Sequence, residues 1–168
     1  DPKAGLPLLA LGLTQMQSGK LAAAADTLRQ AADKDPKDFR PEYFYALTLV
    51  RAGGRRDPTR RKEIISSLQR AIALNPDDAE SRVALGQTYQ ATDQLDLAVK
   101  ELQKALELEP AHTTALYQLS AIYSKQGKTE AAQRLLRTFE EIKTKASQEE
   151  EQERKALVQI MKTVSKKP

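Results

Sequence analysis

The sequence predicts an all-α fold, a solenoid of four antiparallel helix pairs followed by a long C-terminal helix. The first observation is repetition: Leu11–Pro36, "LGLTQMQSGKLAAAADTLRQAADKDP", has a near twin of equal length in Leu85–Pro110, "LGQTYQATDQLDLAVKELQKALELEP". The second is that Pro36, Pro76 and Pro110 each close an apolar-periodic run and lie 40 and 34 residues apart. The third is composition, because 5% aromatic residues and no Trp leave Leu, Ala, Ile and Val to build a core, which favours close-packed helices.

Each period is predicted to contain two helices joined by a turn. In the first period the turn falls at Ser18-Gly19, and apolar residues recur at helical spacings of three and four on both sides of it. The packing positions of this period are Leu8, Leu11, Gly12 and Gln15 in the first helix, and Leu21, Ala24, Leu28 and Ala31 in the second. Each period is therefore a helical hairpin.

Small residues recur where the two helices of a hairpin should cross. In the first helix of each period, a small residue directly follows a packing Leu or Tyr. In three of the periods, an Ala stands at the facing position of the second helix. The small residues are Gly12, Ala46, Gly86 and Ser120, and the facing alanines are Ala24, Ala98 and Ala132. Close approach of two helices requires small side chains at such positions.

These positions resemble the pattern of the tetratricopeptide repeat family. The third period matches with Leu85-Gly86, Tyr89, Ala98, Leu102, Ala105 and Pro110, and the fourth with Leu116, Leu119-Ser120, Tyr123, Gly127, Ala132 and Leu136. The second departs most, with Ile64 in place of Ala and six extra residues in "AGGRRDPTRR". The resemblance covers about residues 5–140 and implies a right-handed superhelix of antiparallel helix pairs. It predicts repeats at about 5–38, 39–78, 79–112 and 113–142, and a helical extension at 143–168.

The resemblance also implies a concave groove, lined by the first helix of each repeat, that binds a peptide or helix of a partner protein. The expected groove residues are Leu9, Leu13, Arg40, Tyr43, Leu47, Val50, Arg51, Glu80, Gln87 and Tyr117. The groove is apolar at its N-terminal end and polar in the third repeat, which favours an apolar or amphipathic ligand. Two alternatives remain for the N-terminal leucines: preceding repeats could cover them, or the first helix could be rotated from this register.

One ligand class of the family is not expected. Members that hold the acidic tails of heat-shock chaperones use Lys, Asn and Arg at set groove positions. Two alignments of that pattern place Leu9, Leu13, Phe44, Glu80 and Ala84, or Tyr43, Leu47, Ala84, Thr114 and Gln118, at those positions. Neither supplies a cation.

The insertion of the second repeat is rich in arginine. Arg55, Arg56, Arg60 and Arg61 form a candidate anion-binding loop for phosphate, nucleic acid or an acidic partner. A solvated loop is the alternative, and nucleic acid is disfavoured because the loop has no aromatic residue and the net charge is only +4. Asp57-Pro58-Thr59 should begin the second helix, with Arg60 and Arg61 opposing its dipole.

No Pro or Gly stops the last helix after Leu136, so a helix is predicted to run to about Val164. At roughly 35 residues it would be about 50 Å long and would outreach the last repeat. Its apolar end, Leu157, Ile160, Met161 and Val164, is a candidate self-association surface for a homodimer. The alternatives are a frayed tail and a helix packed on its own chain.

Catalysis, cofactors and metals are not expected. There is one histidine, His112, no Cys and no phosphate-cradling glycine loop, and His112 is predicted to be an exposed residue at a helix start. No apolar run reaches the roughly 18 residues of a membrane span, so the chain is expected to be soluble, and cytoplasmic or periplasmic. Its compact repeats and plain composition suggest a bacterial protein. Asp1-Pro2 repeats the closing motif 34 residues before Pro36, so it is expected to end a preceding repeat; a chance dipeptide is the alternative.

Overall fold

The computed structural model describes residues 5–164, except for the side chains of residue 159 and residues 162–164, and in this part of the chain it contains helices and no strand. The helices are α1 (Gly5–Gln17), α2 (Leu21–Lys34), α3 (Arg40–Arg51), α4 (Pro58–Leu74), α5 (Ala79–Gln90), α6 (Leu95–Leu108), α7 (Thr113–Lys125) and α8 (Thr129–Val164). The all-α prediction is confirmed. The expected end of a preceding repeat at Asp1-Pro2 lies outside the described residues.

The chain divides into two compact units, Asp1–Pro110 with α1–α6, and Ala111–Pro168 with α7 and α8. In the first unit each helix packs against the next one along the chain, so three hairpins stack in order. In the second unit α7 packs against the N-terminal part of α8. The predicted start of a C-terminal extension at 143 stays a prediction.

The turns inside the four hairpins share one hydrogen bond. In each turn, a backbone N–H donates to the carbonyl oxygen of the residue five positions earlier, which is the last packing residue of the first helix. This bond closes the helix as in a Schellman motif. The pairs are Lys20 to Gln15, Gly54 to Leu49, Gln94 to Tyr89 and Lys128 to Tyr123, at 2.9–3.0 Å. The preceding residue in the first and third hairpins, Gly19 or Asp93, has a positive φ of 74° or 58°. Asp93 tolerates this left-handed backbone because of its short polar side chain.

Close helix contacts occur where the sequence places glycine. A Cβ on Gly12 would lie 2.7 Å from Leu28 Cγ, and a Cβ on Gly86 would lie 2.9 Å from Leu102 Cγ and 3.3 Å from the Ala98 carbonyl oxygen. Both leucines are fully buried. The small residues predicted from the repeat pattern therefore set the distance between the helices of a hairpin.

The core of the first unit follows the second-helix positions of the repeats. Leu28, Ile64, Leu68 and Leu102 are completely buried, as are the alanines at the facing positions. Burial of one such side chain contributes roughly 1.5–3 kcal/mol. Ile64, which departs from the family pattern, is accommodated because Gly54 leaves room beside its Cδ1.

In the described part of the chain, α4, α5 and α7 begin at side-chain caps. Asp57 caps α4 by accepting hydrogen bonds from Thr59 N at 2.8 Å and Arg60 N at 3.3 Å, which confirms the predicted start of that helix. Asp78 caps α5, and 34 residues later His112 occupies the same place, with its Nδ1 accepting from Ala115 N at 3.3 Å. The prediction that His112 is exposed is wrong: the side chain is buried, because it turns towards the first turn of α7 to accept from Ala115 N.

Candidate functional site

Helix α3 has two distinct faces. Tyr45, Ala46 and Leu49 are buried in the stack. Tyr43, Leu47 and Val50 follow one another at spacings of four and three residues and are all partly exposed. Repeat packing does not bury this second stripe, so its side chains are partly accessible to a ligand. They are residues for which the sequence predicts a place in the groove. The groove face is the name used below for the accessible predicted groove residues of α1, α3 and α5, which are Leu13, Arg40, Tyr43, Leu47, Val50, Arg51, Glu80 and Gln87.

Tyr43 connects α3 with the start of α5. Burial, and then the negative charges of Glu80 and Asp78, raise the pKa of Tyr43 to about 12. The ring also meets Phe44 edge-on, with 5.0 Å between centroids and 64° between planes. Tyr43 is therefore a neutral, partly covered aromatic group beside the acidic first turn of the neighbouring repeat.

The groove face of α5 is polar where its side chains are accessible. Glu80 is exposed and Gln87 is partly exposed, whereas Val83 and Ala84 are buried. The predicted change from apolar to polar character stays a prediction, since α3 presents exposed Arg40 and Arg51 as well as its apolar stripe.

Helix α1 differs from the predicted register. Leu9 is only 5% exposed, so it is a packing residue and does not line an accessible groove, whereas Leu11, predicted to pack, is 49% exposed. Leu13 is partly exposed, as the groove prediction requires. The physical reason is that Gly5, Leu9 and Gly12 form the line that α1 turns towards the interior; a Cβ on Gly5 would lie 2.9 Å from Asp35 Cβ.

The two arginines predicted at the ends of α3 differ in freedom. Arg40 Nε and Nη2 donate to the Asp38 carboxylate at 2.8 and 2.7 Å, a two-point contact that orients Arg40. Burial raises the pKa of the Asp38 carboxyl, but the hydrogen bonds from Arg40 outweigh burial and hold that pKa below its usual range. Arg51, in the last turn of α3, is exposed.

The arginine loop and the groove face meet, which the sequence did not predict. Arg55 Nη2 donates to Gln87 Oε1 at 3.1 Å, so a residue of the insertion lies against a predicted groove residue of the next repeat. Arg61 Nη1 donates to the Arg55 carbonyl oxygen at 3.2 Å. Of the other two loop arginines, Arg56 is exposed and Arg60 lies 3.9 Å from the Asp57 carboxylate. The four arginines therefore do not form one cluster, and Arg55 contacts the groove face through Gln87.

A separate cleft of about 580 Å³ lies between α2, α3 and α4. Four of its charged side chains take part in side-chain contacts across the cleft. Arg70 donates to the Glu42 carboxylate at 2.7 and 2.9 Å, and Arg29 donates to the Tyr45 hydroxyl, which in turn donates to Glu63 at 3.1 Å. The contact between Arg29 and Tyr45 joins the first and second hairpins, whereas the other contacts join α3 and α4 within the second hairpin.

In the second unit, Tyr117 of α7 is exposed and packs against Phe139 of α8, with 5.8 Å between ring centroids. The distal part of α8 exposes Leu157, Ile160 and Met161, the last to 71%. The side chain of Val164, the fourth predicted self-association residue, lies outside the described residues. The predicted apolar end of the helix is therefore accessible in the three residues whose side chains are described.

Among residues 5–164, no helix is long and apolar enough to cross a membrane. In the same part of the chain, no group of three or more His, Asp or Glu side chains is placed to hold a metal ion.

Comparison with known proteins places this arrangement of hairpins in a family. Three tetratricopeptide repeat models match residues 8–38, 67–100 and 91–148. The matched ranges leave out 39–66, which contains the insertion. Superkiller protein 3 of Saccharomyces cerevisiae is 42% identical over 53 residues, which are 32% of this chain and only 4% of that protein.

Solved structures show the same fold over most of the chain. A crystal structure of MamA has a TM-score of 0.77 and 25% identity, covering 88% of this chain and 83% of that one. Two others, below 25% identity, show the fold alone. The first tetratricopeptide domain of Spaghetti (RPAP3), bound to the HSP90 peptide SRMEEVD, has a TM-score of 0.69 and 24% identity, covering 76% and 96%. YrrB, described as having an unusual peptide-binding site, has a TM-score of 0.67 and 23% identity, covering 84% and 70%. The chain belongs to the tetratricopeptide repeat family.

Proposed function

We propose that this protein is a non-catalytic scaffold whose groove face binds a peptide or helical segment of another protein. The observation that carries the proposal is the stripe of Tyr43, Leu47 and Val50, which stays partly exposed although the opposite face of the same helix is buried. A ligand that covers apolar side chains already held by a packed helix gains their burial without ordering them.

The similar structures support this proposal in a general way. A tetratricopeptide domain with this fold is bound to a peptide, and another is described by its peptide-binding site. The binding mode is not carried over from the chaperone-bound domain. At the positions of the carboxylate-binding cations of that type, one alignment places Leu9, Leu13, Phe44, Glu80 and Ala84.

Selection from a phage library of random dodecamer peptides tests the proposal. The intact chain is compared with a variant carrying Tyr43→Ala, Leu47→Glu and Val50→Glu, whose folding is checked by circular dichroism. A matched control carries Leu74→Glu and Leu108→Glu, which add the same charges to exposed leucines on second helices. We expect enriched peptides to bind the intact chain and the control, and not to bind the variant changed at Tyr43, Leu47 and Val50. Equal binding by all three proteins would contradict the proposal.

A second candidate function, self-association, is favoured by α8. This helix is 36 residues long, and its end exposes Leu157, Ile160 and Met161. Ion pairs of Glu151 with Arg154 and Lys155 support the helix just before this patch. Light scattering on the full chain, with and without Leu157→Ser and Met161→Ser, tests this function. A dimer that the two serines abolish would support it, and a monomer in both cases would contradict it.

A further inference from the structure

Arg55 is held in place by the loop that carries it. Gly54 N donates to the Leu49 carbonyl oxygen at 2.9 Å, and a Cβ on Gly54 would lie 2.6 Å from that oxygen, so only glycine fits there. On the other side, Arg61 donates to the Arg55 carbonyl. The backbone on both sides of Arg55 is thus fixed, and its side chain is directed towards α5 by structure rather than by chance.

The guanidinium of Arg55 has an amide partner but no ionic one. Its Nη2 donates to Gln87 Oε1, and its buried Nε has no hydrogen-bond partner in the part of the chain that the structure describes. Within the same residues no carboxylate lies within ion-pair distance of it. Burial lowers the pKa of Arg55, and no neighbouring negative charge offsets this. A partly buried cation without a counter-charge is costly, and an anion that arrives with a ligand removes that cost.

The surroundings of Arg55 define what such a ligand looks like. The loop leaves α3 directly after Val50 and Arg51, so one end of the apolar stripe and a second, exposed cation are next to it in the chain. Gln87, the amide partner of Arg55, lies in the last turn of α5. A ligand that meets both Arg55 and the apolar stripe therefore combines a carboxylate with a nearby apolar residue.

We propose that Arg55 binds the side-chain carboxylate of an aspartate or glutamate in the segment that the groove face holds, next to an apolar ligand residue that covers Leu47 and Val50. The inference rests on the proposed function and adds the chemistry of the ligand to it. Arginine suits this role because its planar fork binds a carboxylate with two hydrogen bonds. A nucleic acid fits less well, because residues 52–57 have no aromatic side chain for base stacking.

The dodecamer library also tests this inference when the peptides are fused through their C-termini and so carry no terminal carboxylate. The intact chain is compared with Arg55→Gln and with Arg56→Gln, a neighbouring exposed arginine with the same change of charge. We expect the intact chain and Arg56→Gln to enrich Asp or Glu at a fixed distance from an apolar residue. Arg55→Gln is expected to keep the apolar preference and lose the acidic one, and Arg55→Lys to restore part of it.

A selected peptide is then resynthesised with its acidic residue changed to the corresponding amide. We expect about 10- to 100-fold weaker binding to the intact chain and little change with Arg55→Gln. Two results would overturn the inference: equal acidic enrichment in Arg55→Gln, or an equal loss of acidic enrichment in Arg56→Gln.

Failure of the inference and failure of the proposed function look different. Peptides that depend on Leu47 and Val50 but show no acidic preference would overturn the inference alone. Peptides that bind without regard to Leu47 and Val50 would contradict the proposed function and the inference with it. A single-stranded dT15 oligonucleotide that binds tightly and weakens equally with Arg55→Gln and Arg56→Gln would assign the loop to nucleic acid and overturn the inference.

Discussion

Gly86 and Leu102 offer a direct test of how the hairpins pack. Replacing Gly86 by Val places a Cβ 2.9 Å from Leu102 Cγ and 3.3 Å from the Ala98 carbonyl oxygen, both closer than ordinary contact. Leu102 is fully buried and cannot swing into solvent. Overpacking of this kind costs about 1–3 kcal/mol, and the better helix propensity of Val over Gly returns only a few tenths of a kcal/mol. We expect Gly86→Val to lower the free energy of unfolding by about 1–3 kcal/mol.

The same contact predicts that the two positions are coupled. Leu102→Ala alone should cost about 2–5 kcal/mol, because it leaves a cavity in the core. In the double variant the valine occupies part of that cavity, so the combined loss should be smaller than the sum by about 0.5–3 kcal/mol. Urea unfolding followed by circular dichroism measures the stability of the unchanged chain, the two single variants and the double variant. Lys100→Val, on the exposed side of α6, is the control and should change stability by less than about 0.5 kcal/mol. Additive losses within about 0.5 kcal/mol would refute this account of the packing.

Three further predictions concern other parts of the chain. His112→Ala should lower the free energy of unfolding by about 1 kcal/mol, because the Ala115 N–H loses its acceptor. His112→Asp should retain most of the original stability. Urea unfolding measures both variants, and an unchanged stability of His112→Ala would contradict the cap. Tyr43 should titrate at about 12 by absorbance at 295 nm, and Glu80→Gln should lower that value. Because the folded pKa exceeds the unfolded one, the stability from Tyr43 is present below pH 10 and is lost between pH 10 and 12, a loss that Tyr43→Phe should remove. If α8 drives self-association, a chain ending at Ala146 should be monomeric by light scattering, whereas a dimer of that chain would place the interface elsewhere.

Most of the fold could be predicted from local sequence, because each repeat carries its own start and stop signals. The prolines after α2, α4 and α6, the turn residues, and Asp57 before Pro58 all marked helix boundaries correctly. The small residues at the hairpin contacts were also found, because close approach excludes larger side chains at Gly12 and Gly86. Repetition helped further, since a pattern seen in four copies distinguishes packing positions from coincidence.

The face of α1 was harder to predict because leucines occupy almost every side of that helix. Leu6, Leu8, Leu9, Leu11 and Leu13 leave no single apolar stripe, so hydrophobicity alone could not show that Leu9 packs and Leu11 is exposed. The spacing of the glycines carried the missing signal: positions 5 and 12 flank the packed leucine at intervals of four and three residues.

Two features were not predicted, one because it depends on a tertiary contact that no local pattern encodes. The hydrogen bond from Arg55 to Gln87 joins residues 32 positions apart in different repeats, and composition indicated only a basic loop. His112 could have been recognised as a cap from its 34-residue offset from Asp78, but histidine is not a usual residue at that position. The His112 prediction was wrong because the residue was judged by its type rather than by its place in the repeat.

The most direct test of the central claim is to map where a peptide binds. Backbone amide shifts of the isotope-labelled chain are recorded by NMR while a dodecamer selected on the intact protein is added. We expect the largest changes at Tyr43, Leu47, Val50 and Gln87 of the groove face. Changes centred instead on the cleft between α2 and α4, or on the distal part of α8, would contradict the proposal that this face binds the partner.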